Sequence, residues 1–345
     1  MTETMWKKIV GAAIGAMAFA ASQAPAEAGK VLDAVRKRGE LNCGVAAGIG
    51  GFSMANSQGE WQGLTADFCR AVAVAALGPQ GKVKFVPLSP QQRFTALQAG
   101  EVDLLATVAT WTLTRDASLG LVYAGVYFYD GQGFLVPKSL NVKSAKELDG
   151  AAICTATGTT SELNMADYFR ANKLTFKPIV FESDNEARKA FFNGRCQAFS
   201  ADTSYLSSVR VTDSTNPDDW VILPEVISKE PLGPLTSRED LEWWTIVKWT
   251  LFALIEAEEK GVTTTNVDQM KTSQDPTIQR LLGVSGDMAQ KLGLDKAWAY
   301  EAIKKVGNYG EIFDRHLGPK TPLKFERGLN NLWSKGGLIY SMPVR

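Results

Sequence analysis

The chain has 345 residues, and its 37 lysines and arginines balance 37 aspartates and glutamates, so the formal net charge at pH 7 is zero. This balance gives no electrostatic basis for binding nucleic acid or an anionic membrane surface. The length favours two domains over one, because a single hydrophobic core rarely grows to this size.

Residues 1–28 have the three-part layout of a secretory signal peptide. Lys7 and Lys8 form a basic start, an Ala-rich apolar run follows over residues 9–21, and the small-residue stretch "SQAPAEA" comes next. The run is about thirteen residues long, shorter than the roughly twenty of a spanning helix, which disfavours a retained membrane anchor. We expect cleavage after Ala28, although cleavage after Ala26 also fits the A-x-A pattern of signal-peptide cleavage sites. The mature chain is then expected to be soluble and to lie in the periplasm.

The mature chain begins with alternating strands and helices. Strands are predicted at residues 40–46, 82–88 and 102–109, and helices at residues 64–77 and 90–99. Ser89, Pro90 and Gln92 have the pattern of a helix start, and Gly100 marks the end of that helix.

The same alternation restarts after "YDGQGF". Strands are predicted at residues 150–156, 176–181, 196–202 and 220–225, and helices at residues 161–172, after Ser183 and at residues 203–210. Thr159 and Glu162 form a capping-box pattern before the first of these helices. The alternation predicts parallel or mixed sheets covered by helices on both faces, and its repetition predicts two lobes. Residues 240–261 then form a long amphipathic helix, followed by shorter helical pieces separated by glycines.

Four cysteines remain after export, and an even number in an oxidising compartment favours disulfides. Cys43 and Cys154 lie in predicted strands, Cys69 lies in the first helix, and Cys196 begins a later strand. The pairing of Cys43 with Cys69 and of Cys154 with Cys196 keeps each bridge within one lobe, so we expect that pairing. A zinc site is the weaker alternative, because no C-x-x-C motif occurs and the single histidine, His316, is distant in sequence.

Three segments that each follow a predicted strand carry the polar groups of a candidate site, since open α/β sheets bind ligands at the carboxyl ends of their strands. The first, "TWTLTRD", places hydroxyls at Thr110, Thr112 and Thr114 before Arg115. A guanidinium with hydroxyls nearby suits a carboxylate, which takes paired donors. The alternative is a surface arginine paired with Asp116.

The second segment, "TATGTTSE", contains Gly158, which permits close approach of the backbone, and the free N–H groups of a helix start, which attract an anion. A helix cap formed by Thr159 and Glu162 is compatible with this role. The third, "CQAFSADTS", places Asp202 at the end of an apolar strand, where a carboxylate is able to accept from an ammonium group. The alternative for Asp202 is an N-cap. Together the segments predict a site for an α-amino acid between two lobes.

In the order of its segments the chain resembles the amino-acid-binding periplasmic proteins of ABC transporters, and more narrowly the general L-amino-acid-binding proteins of Gram-negative bacteria. The matching stretches are "GFSMANSQGEWQGLTADFCRAVA", "RFTALQAGEVDLL", "TWTLTRDASLGL", "YDGQGF", "TGTTSELNMADYFRAN", "VILPEVISKEPLGP", "WTLFALIEAEEKGVT", "GNYGEIF" and "LNNLWSKGGL". They cover nearly the whole mature chain in a consistent order.

The resemblance implies an α/β, two-lobed type 2 periplasmic binding protein fold with mixed sheets and a helical C-terminal extension. Two crossover hinge strands are expected near residues 129–134 and 224–231. Lobe 1 then comprises residues 29–131 and 230–345 with the extension, and lobe 2 comprises residues 132–229. The lobes of such proteins close on a ligand in the cleft.

By position, the resemblance implies that Arg115 binds the ligand carboxylate and Asp202 its ammonium group. The other implied ligand-binding residues are Thr110 and Thr112 of lobe 1, Thr159 and Thr160 of lobe 2, and Phe52 and Trp111 as walls of the pocket. Core packing is the alternative for the two aromatic residues. The implied partners are an amino acid ligand and the membrane permease subunits of an ABC transporter. We expect a monomer without cofactor, metal or nucleic acid.

The chain departs from these relatives in one part of the site. Relatives usually carry an Arg-Asn pair where this chain has Thr107 and Val108, and often a glutamine where it has Ala156. Because these changes remove polar groups near the ligand side chain, we predict a narrower specificity that favours less polar side chains.

Two other functions share this fold. An exported dehydratase would need a general acid or base in the cleft, whereas His316 lies in the helical tail. A binding protein that serves a sensory receptor would use the same outer faces of the lobes, and the sequence does not separate it from a transport protein.

Overall fold

Two five-stranded mixed sheets organise the structure, a computed structural model that describes residues 29–345. The predicted signal peptide lies outside the described residues. We refer to the part of the chain built on each sheet as a lobe.

The helices and strands follow the predicted alternation. Lobe 1 begins with α1 (Lys30–Arg38), β1 (Glu40–Ala46), β2 (Met54–Ala55), β3 (Trp61–Gln62), α2 (Leu64–Leu77), β4 (Lys82–Leu88), α3 (Arg93–Gln98), β5 (Leu104–Leu105), α4 (Leu113–Ser118), β6 (Leu121–Tyr123) and β7 (Phe128–Asp130). Lobe 2 contains β8 (Gln132–Pro137), β9 (Ala152–Ala156), α5 (Thr160–Ala171), β10 (Lys177–Phe181), α6 (Asp184–Phe192), β11 (Ala198–Asp202), α7 (Thr203–Thr212) and β12 (Trp220–Ile222). The chain then forms β13 (Glu230–Leu232), β14 (Leu235–Ser237), α8 (Leu241–Glu259), α9 (Val267–Met270), α10 (Pro276–Leu281), α11 (Met288–Lys291), α12 (Trp298–Val306) and α13 (Tyr309–His316).

Both sheets combine parallel and antiparallel pairs. The strand order is β4-β1-β5-β14-β6 in the first sheet and β10-β9-β11-β8-β12 in the second. In each sheet the βα units supply parallel neighbours, and the strands that arrive from the other lobe, β14 and β8, pair antiparallel. The mixed character of the sheets is therefore as predicted.

Two short strands connect the lobes as an antiparallel ribbon. In this ribbon β7 pairs with β13, and Asp130, Tyr129 and Phe128 lie opposite Glu230, Pro231 and Leu232. The ribbon lies within a few residues of the two predicted crossovers. We refer to it below as the crossover ribbon.

The helix starts differ from the predictions at one place. The hydroxyls of Thr159 and Ser183 accept from the backbone N–H three residues later, at 3.4 and 3.2 Å, as predicted for caps. The Ser89 hydroxyl likewise accepts from the Gln92 N–H at 3.3 Å, but this contact closes a turn, and α3 begins only at Arg93. The later start places Arg93 in the first helical turn.

Both expected disulfides are present. Cys43 of β1 bonds Cys69 of α2, and Cys154 of β9 bonds Cys196 just before β11, so each bridge fastens a strand to its own lobe. These bonds use all four cysteines of the chain, which leaves no thiolate for the zinc alternative.

The C-terminal helices cover lobe 1. Helix α2 is buried on nearly every side, because α8 and α12 pack against it opposite the sheet. Trp243 of α8 is fully buried and donates its indole N–H to the Asp103 carbonyl at 2.7 Å, so its one polar group is satisfied. Within residues 29–345, no helix combines the length and hydropathy needed to cross a membrane.

Candidate ligand-binding site

A small cavity lies between the lobes at the carboxyl ends of β5, β9 and β11, and its volume is about 40 Å³. Its polar lining comes from both lobes: Arg93 and Thr110 from lobe 1, and Thr155, Thr159, Thr160, Ser161, Asp184, Ser200 and Asp202 from lobe 2. Four of these residues, at positions 110, 159, 160 and 202, are among those expected from the sequence. The topology therefore brings together the three segments that are separate in sequence.

Arg115 is a buried residue rather than a surface residue paired with Asp116. Its guanidinium donates to the Thr110 carbonyl at 2.9 Å in its own lobe and to the Gly158 carbonyl of the other lobe at 3.3 Å. Thr112 caps α4 by accepting from the Arg115 N–H at 3.2 Å, which fixes the backbone that carries the guanidinium. The arginine thus bridges the lobes beside the cavity.

A second arginine, Arg93, was missed by sequence reasoning. It is buried, lines the cavity and donates to the Val108 carbonyl at 3.1 Å, while its Nε finds no partner among residues 29–345. Burial and the neighbouring charge of Arg115 lower the pKa of Arg93 to about 10. The guanidinium carbons of Arg93 and Arg115 lie 4.8 and 5.0 Å from the ring centre of Phe94.

A local signal could have revealed Arg93. A cation in the first turn of a helix interacts unfavourably with the helix dipole. Arg93 in the first turn of α3, soon after the end of β4, therefore indicates a role other than stabilising the helix. Two buried arginines with one unsatisfied donor make this end of the cavity strongly attractive to an anion or an oxygen acceptor.

The hydroxyls of Thr110 and Thr160 converge on Glu230 of the crossover ribbon, a carboxylate that the sequence did not single out. Both threonines donate to Glu230 Oε2, Thr160 at 2.9 Å, and the two hydroxyls lie 3.3 Å apart. Glu230 Oε1 accepts from Asn164 at 2.7 Å and from Ser228 at 2.5 Å. Glu230 is almost completely buried, and these donors compensate the cost of burying its charge.

Thr159 forms the cap of α5 on the floor of the cavity. Its hydroxyl donates to the Ala156 carbonyl at 2.7 Å and accepts from the Glu162 N–H at 3.4 Å. Gly158 before it has φ of +73°, and an added Cβ would lie 2.7 Å from Gln91 Oε1 of the other lobe. Glycine at this position therefore allows both the turn and the close approach of the lobes.

Asp202 occupies the N-cap position of α7 without acting as its cap. Asp130 of the crossover ribbon takes that role, accepting from the Thr203 hydroxyl at 2.7 Å and the Ser204 N–H at 3.2 Å. Burial, reinforced by the charges of Asp130 and Glu230, raises the pKa of Asp202 well above its usual range. Within residues 29–345 no donor forms a side-chain hydrogen bond to this carboxylate, so it is available to a cation in the cavity.

The two aromatic residues expected as pocket walls lie elsewhere. Phe52 is fully buried in the core of lobe 1, edge-on to Phe128 at 5.1 Å, because its loop packs beneath the crossover ribbon. Trp111 stacks on Tyr123 at 5.2 Å and is 38% exposed. Neither borders this cavity, and the same holds for Arg115 and Thr112, so the role of Phe52 and Trp111 as walls of the ligand pocket stays a prediction. The remaining lining residues are Ile49, Pro90, Val108, Ala156, Phe199, Ala201 and Tyr205.

Two of the three positions that depart from the resembling proteins line the cavity. Val108 and Ala156 line it from opposite lobes, whereas Thr107 turns its carbonyl toward the Tyr127 hydroxyl, which donates at 2.5 Å. The Tyr205 hydroxyl, also buried in the cavity lining, has no hydrogen-bond partner among the described residues.

The chain matches known proteins over nearly its full length. A family model described as bacterial extracellular solute-binding proteins, family 3, matches residues 41–319. The general L-amino acid-binding periplasmic protein AapJ of Rhizobium johnstonii is 51% identical over 343 residues, covering 99% of this chain and 100% of that protein. The glutamate/glutamine/aspartate/asparagine-binding protein BztA of Rhodobacter capsulatus is 48% identical over 332 residues, covering 96% and 98%.

A solved structure is similar in both fold and sequence. The ABC transporter periplasmic binding protein from Brucella ovis, with glutathione bound, superposes with a TM-score of 0.89 and is 53% identical. The match covers 91% of this chain and 99% of that one. The two-lobed fold predicted from the sequence is therefore confirmed.

Proposed function

Because this chain belongs to the bacterial extracellular solute-binding proteins of family 3, we propose that it captures an α-amino acid, or a compound with a free α-amino acid group, for an ABC importer. The observation that carries the proposal is the pairing of charges across one cavity. Arg115, which lies beside the cavity, and the start of α5 supply its cationic side, and the buried Asp202, whose carboxylate accepts no side-chain hydrogen bond within residues 29–345, supplies its anionic side.

Each end of an amino acid backbone finds a complementary group in this arrangement. The Arg115 guanidinium and the first-turn N–H groups of α5 offer several donors to a carboxylate. Asp202 offers acceptors to an ammonium group, and its raised pKa reflects a charge that lacks a cation. Thr110, Thr112, Thr159 and Thr160 position these groups.

The side-chain end of the ligand faces Arg93. This guanidinium has an unsatisfied Nε, so it favours a ligand with an oxygen acceptor at that end. That inference competes with the less polar side chains predicted from Val108 and Ala156. We give more weight to Arg93, because leaving a buried charged donor unpaired costs more than burying two apolar side chains gains. A carboxylate, an amide or a γ-glutamyl group meets the requirement.

Capture requires the lobes to move. A cavity of about 40 Å³ holds a water molecule or two, far less than an amino acid. We infer that the lobes separate about the crossover ribbon to admit the ligand and close again on it. The closed form then presents both lobes to the membrane permease.

The setting of this role is the periplasm. We propose that residues 1–28 direct export and are removed, and that the protein acts as a monomer. We infer binding rather than catalysis of the dehydratase type from the relatives, which are named as binding proteins, and His316 bonds Asp67 at 2.6 Å away from the cavity lining. A sensory partner in place of a permease would leave the binding chemistry unchanged.

Titration calorimetry with a small panel tests the proposal. The panel comprises L-glutamate, L-glutamine, L-leucine and glutathione, together with N-acetyl-L-glutamate and the α-amide of glutamate. We expect binding of at least one of the first four and none of the last two, because acetylation removes the ammonium group and amidation removes the α-carboxylate. Tight binding of N-acetyl-L-glutamate would contradict the role of Asp202, and preference for L-leucine would contradict the role of Arg93.

A further inference from the structure

The C-terminal segment reaches the crossover ribbon through one side chain. Asn330 Oδ1 accepts from the Tyr129 N–H at 2.6 Å, and its Nδ2 donates to the Tyr129 carbonyl at 3.0 Å. Asn330 is only 6% exposed, and it lies 201 residues away in sequence. A single amide side chain thus reproduces both hydrogen bonds that a neighbouring strand would make to Tyr129.

This contact completes the ribbon at one level. A two-stranded ribbon leaves one outer edge on each strand, whose backbone groups need partners when they are buried. Pro231, opposite Tyr129, has no N–H, and its carbonyl accepts from the Trp111 N–H of lobe 1 at 2.8 Å. The ribbon is therefore fastened on one edge by Trp111 and on the other by Asn330.

Asn330 is itself held on the body of lobe 1. Arg327 Nε donates to the Asn330 carbonyl at 2.9 Å, and the same guanidinium pairs with Glu258 near the end of α8 at 3.1 Å. Tyr309, whose ring lies beneath Arg327, donates its hydroxyl to the Tyr127 carbonyl at 2.8 Å. The first crossover is thus tied to α8 and α13 over residues 127–129.

We propose that Asn330 is a positioning residue for ligand capture. By fixing Tyr129 to lobe 1, it places the pivot of lobe closure at residues 130–132. The proposal rests on the proposed function, in which the lobes close on a ligand. Fixing the ribbon also determines the position of Glu230, which directly precedes Pro231 in β13. With the ribbon fixed, the Glu230 carboxylate stays with lobe 1 and receives Thr160 and Asn164 of lobe 2 as the cleft closes.

The chain offers a clean way to measure lobe separation without any ligand. Leu113 of α4 and Leu163 of α5 lie on opposite lobes and are 84% and 67% exposed. All four native cysteines are in disulfides, so Leu113→Cys and Leu163→Cys supply the only free thiols for spin labels. Double electron–electron resonance then gives the distribution of distances between the two spin labels, one on each lobe. Hydrogen exchange reports how strongly the Tyr129 amide is protected from solvent.

Asn330→Ala is compared with Ser341→Ala in the doubly labelled protein. Ser341 is a matched control, because it is 5% exposed in the same C-terminal segment and donates to the Phe252 carbonyl of α8 at 3.1 Å rather than to the ribbon. We expect Asn330→Ala to speed exchange of the Tyr129 amide about tenfold, the equivalent of one hydrogen bond, and to broaden the distance distribution. Ser341→Ala should match the unsubstituted protein in both measurements.

Two outcomes would overturn the inference: unchanged distances and exchange in Asn330→Ala, or equal changes in Ser341→Ala. If Asn330→Ala does not fold, Asn330→Asp takes its place, since it keeps the acceptor for the Tyr129 N–H, loses the donor and sets a carboxylate oxygen against the Tyr129 carbonyl. It should keep the amide protected and still broaden the distances, and an unchanged distribution would refute the pivot. These readouts need no ligand, so their failure is distinguishable from failure of the proposed function, which the calorimetric panel tests.

Discussion

Asp202→Asn separates binding from stability more sharply than any other substitution in the site. The Asp202 carboxylate accepts no side-chain hydrogen bond within residues 29–345, and it lies near Asp130 and Glu230, two further buried carboxylates. Replacing it with an amide should therefore weaken ligand binding without weakening the ligand-free fold.

The magnitude for binding follows from the lost ion pair. Removing one partner of a buried charged pair costs about 2–5 kcal/mol. Because asparagine keeps an acceptor for the ammonium group, we expect the lower part of this range, about 2–3 kcal/mol, which raises Kd about 30- to 150-fold.

The stability of the ligand-free protein should change in the opposite sense. The folded-state pKa of Asp202 is raised, first by burial and then by Asp130 and Glu230, so the ionised form opposes folding. This cost is fully present above the folded pKa and fades as the pH falls from that value to the ordinary 3.8. At pH 7, Asp202→Asn removes it, so the melting temperature should stay equal or rise.

Calorimetry with the strongest ligand of the panel and thermal unfolding without ligand provide the measurements, and Asp130→Ala provides the control. Asp130 caps α7 by accepting from Thr203 and Ser204, and alanine removes both acceptors, so this substitution should lower stability by about 1–2 kcal/mol, as loss of a cap does. The reasoning is refuted if Asp202→Asn binds as tightly as the unsubstituted protein, or if it lowers the melting temperature as much as Asp130→Ala does.

Three further expectations follow from other contacts. Arg93→Met should weaken binding of L-glutamate about 10- to 100-fold relative to L-leucine, because it removes a charge-assisted donor; equal losses for both ligands in calorimetry would place Arg93 outside the side-chain site. Burial raises the pKa of Asp67, but the hydrogen bonds and charges of His316 and Arg315 outweigh burial and lower this pKa to about 2. The stability that Asp67 contributes is thus fully present above its ordinary pKa of 3.8 and is lost as the pH falls toward 2. Asp67→Asn should therefore lower the free energy of unfolding in urea by about 2 kcal/mol at pH 7 and by little at pH 2. An equal cost at both pH values would contradict the ion pair. Replacing both Cys154 and Cys196 with serine opens a loop of 42 residues and should lower the free energy of unfolding by about 4 kcal/mol, whereas an unchanged urea midpoint would show that the bridge does not constrain the unfolded chain.

Local patterns in the sequence determined the alternation of strands and helices, the caps at Thr159 and Ser183, and the disulfide pairing. They also indicated Asp202, which ends an apolar strand, and Arg115, which opens the helix after one, because open α/β sheets present polar groups beyond the carboxyl ends of their strands. These features depend on backbone periodicity and on hydrogen bonds between residues a few positions apart. Both can be recognised from the types of neighbouring residues.

Only the tertiary structure decided which groups meet in the cleft. Thr110 contacts Thr160 and Glu230, which are 50 and 120 residues away, and Asn330 reaches Tyr129 across 201 residues. These partners come together because the chain crosses between the lobes twice and then returns to cover lobe 1. The residues around each partner do not predict these contacts. A contact between lobes depends on how the two sheets are placed, and not on the local propensity of either segment.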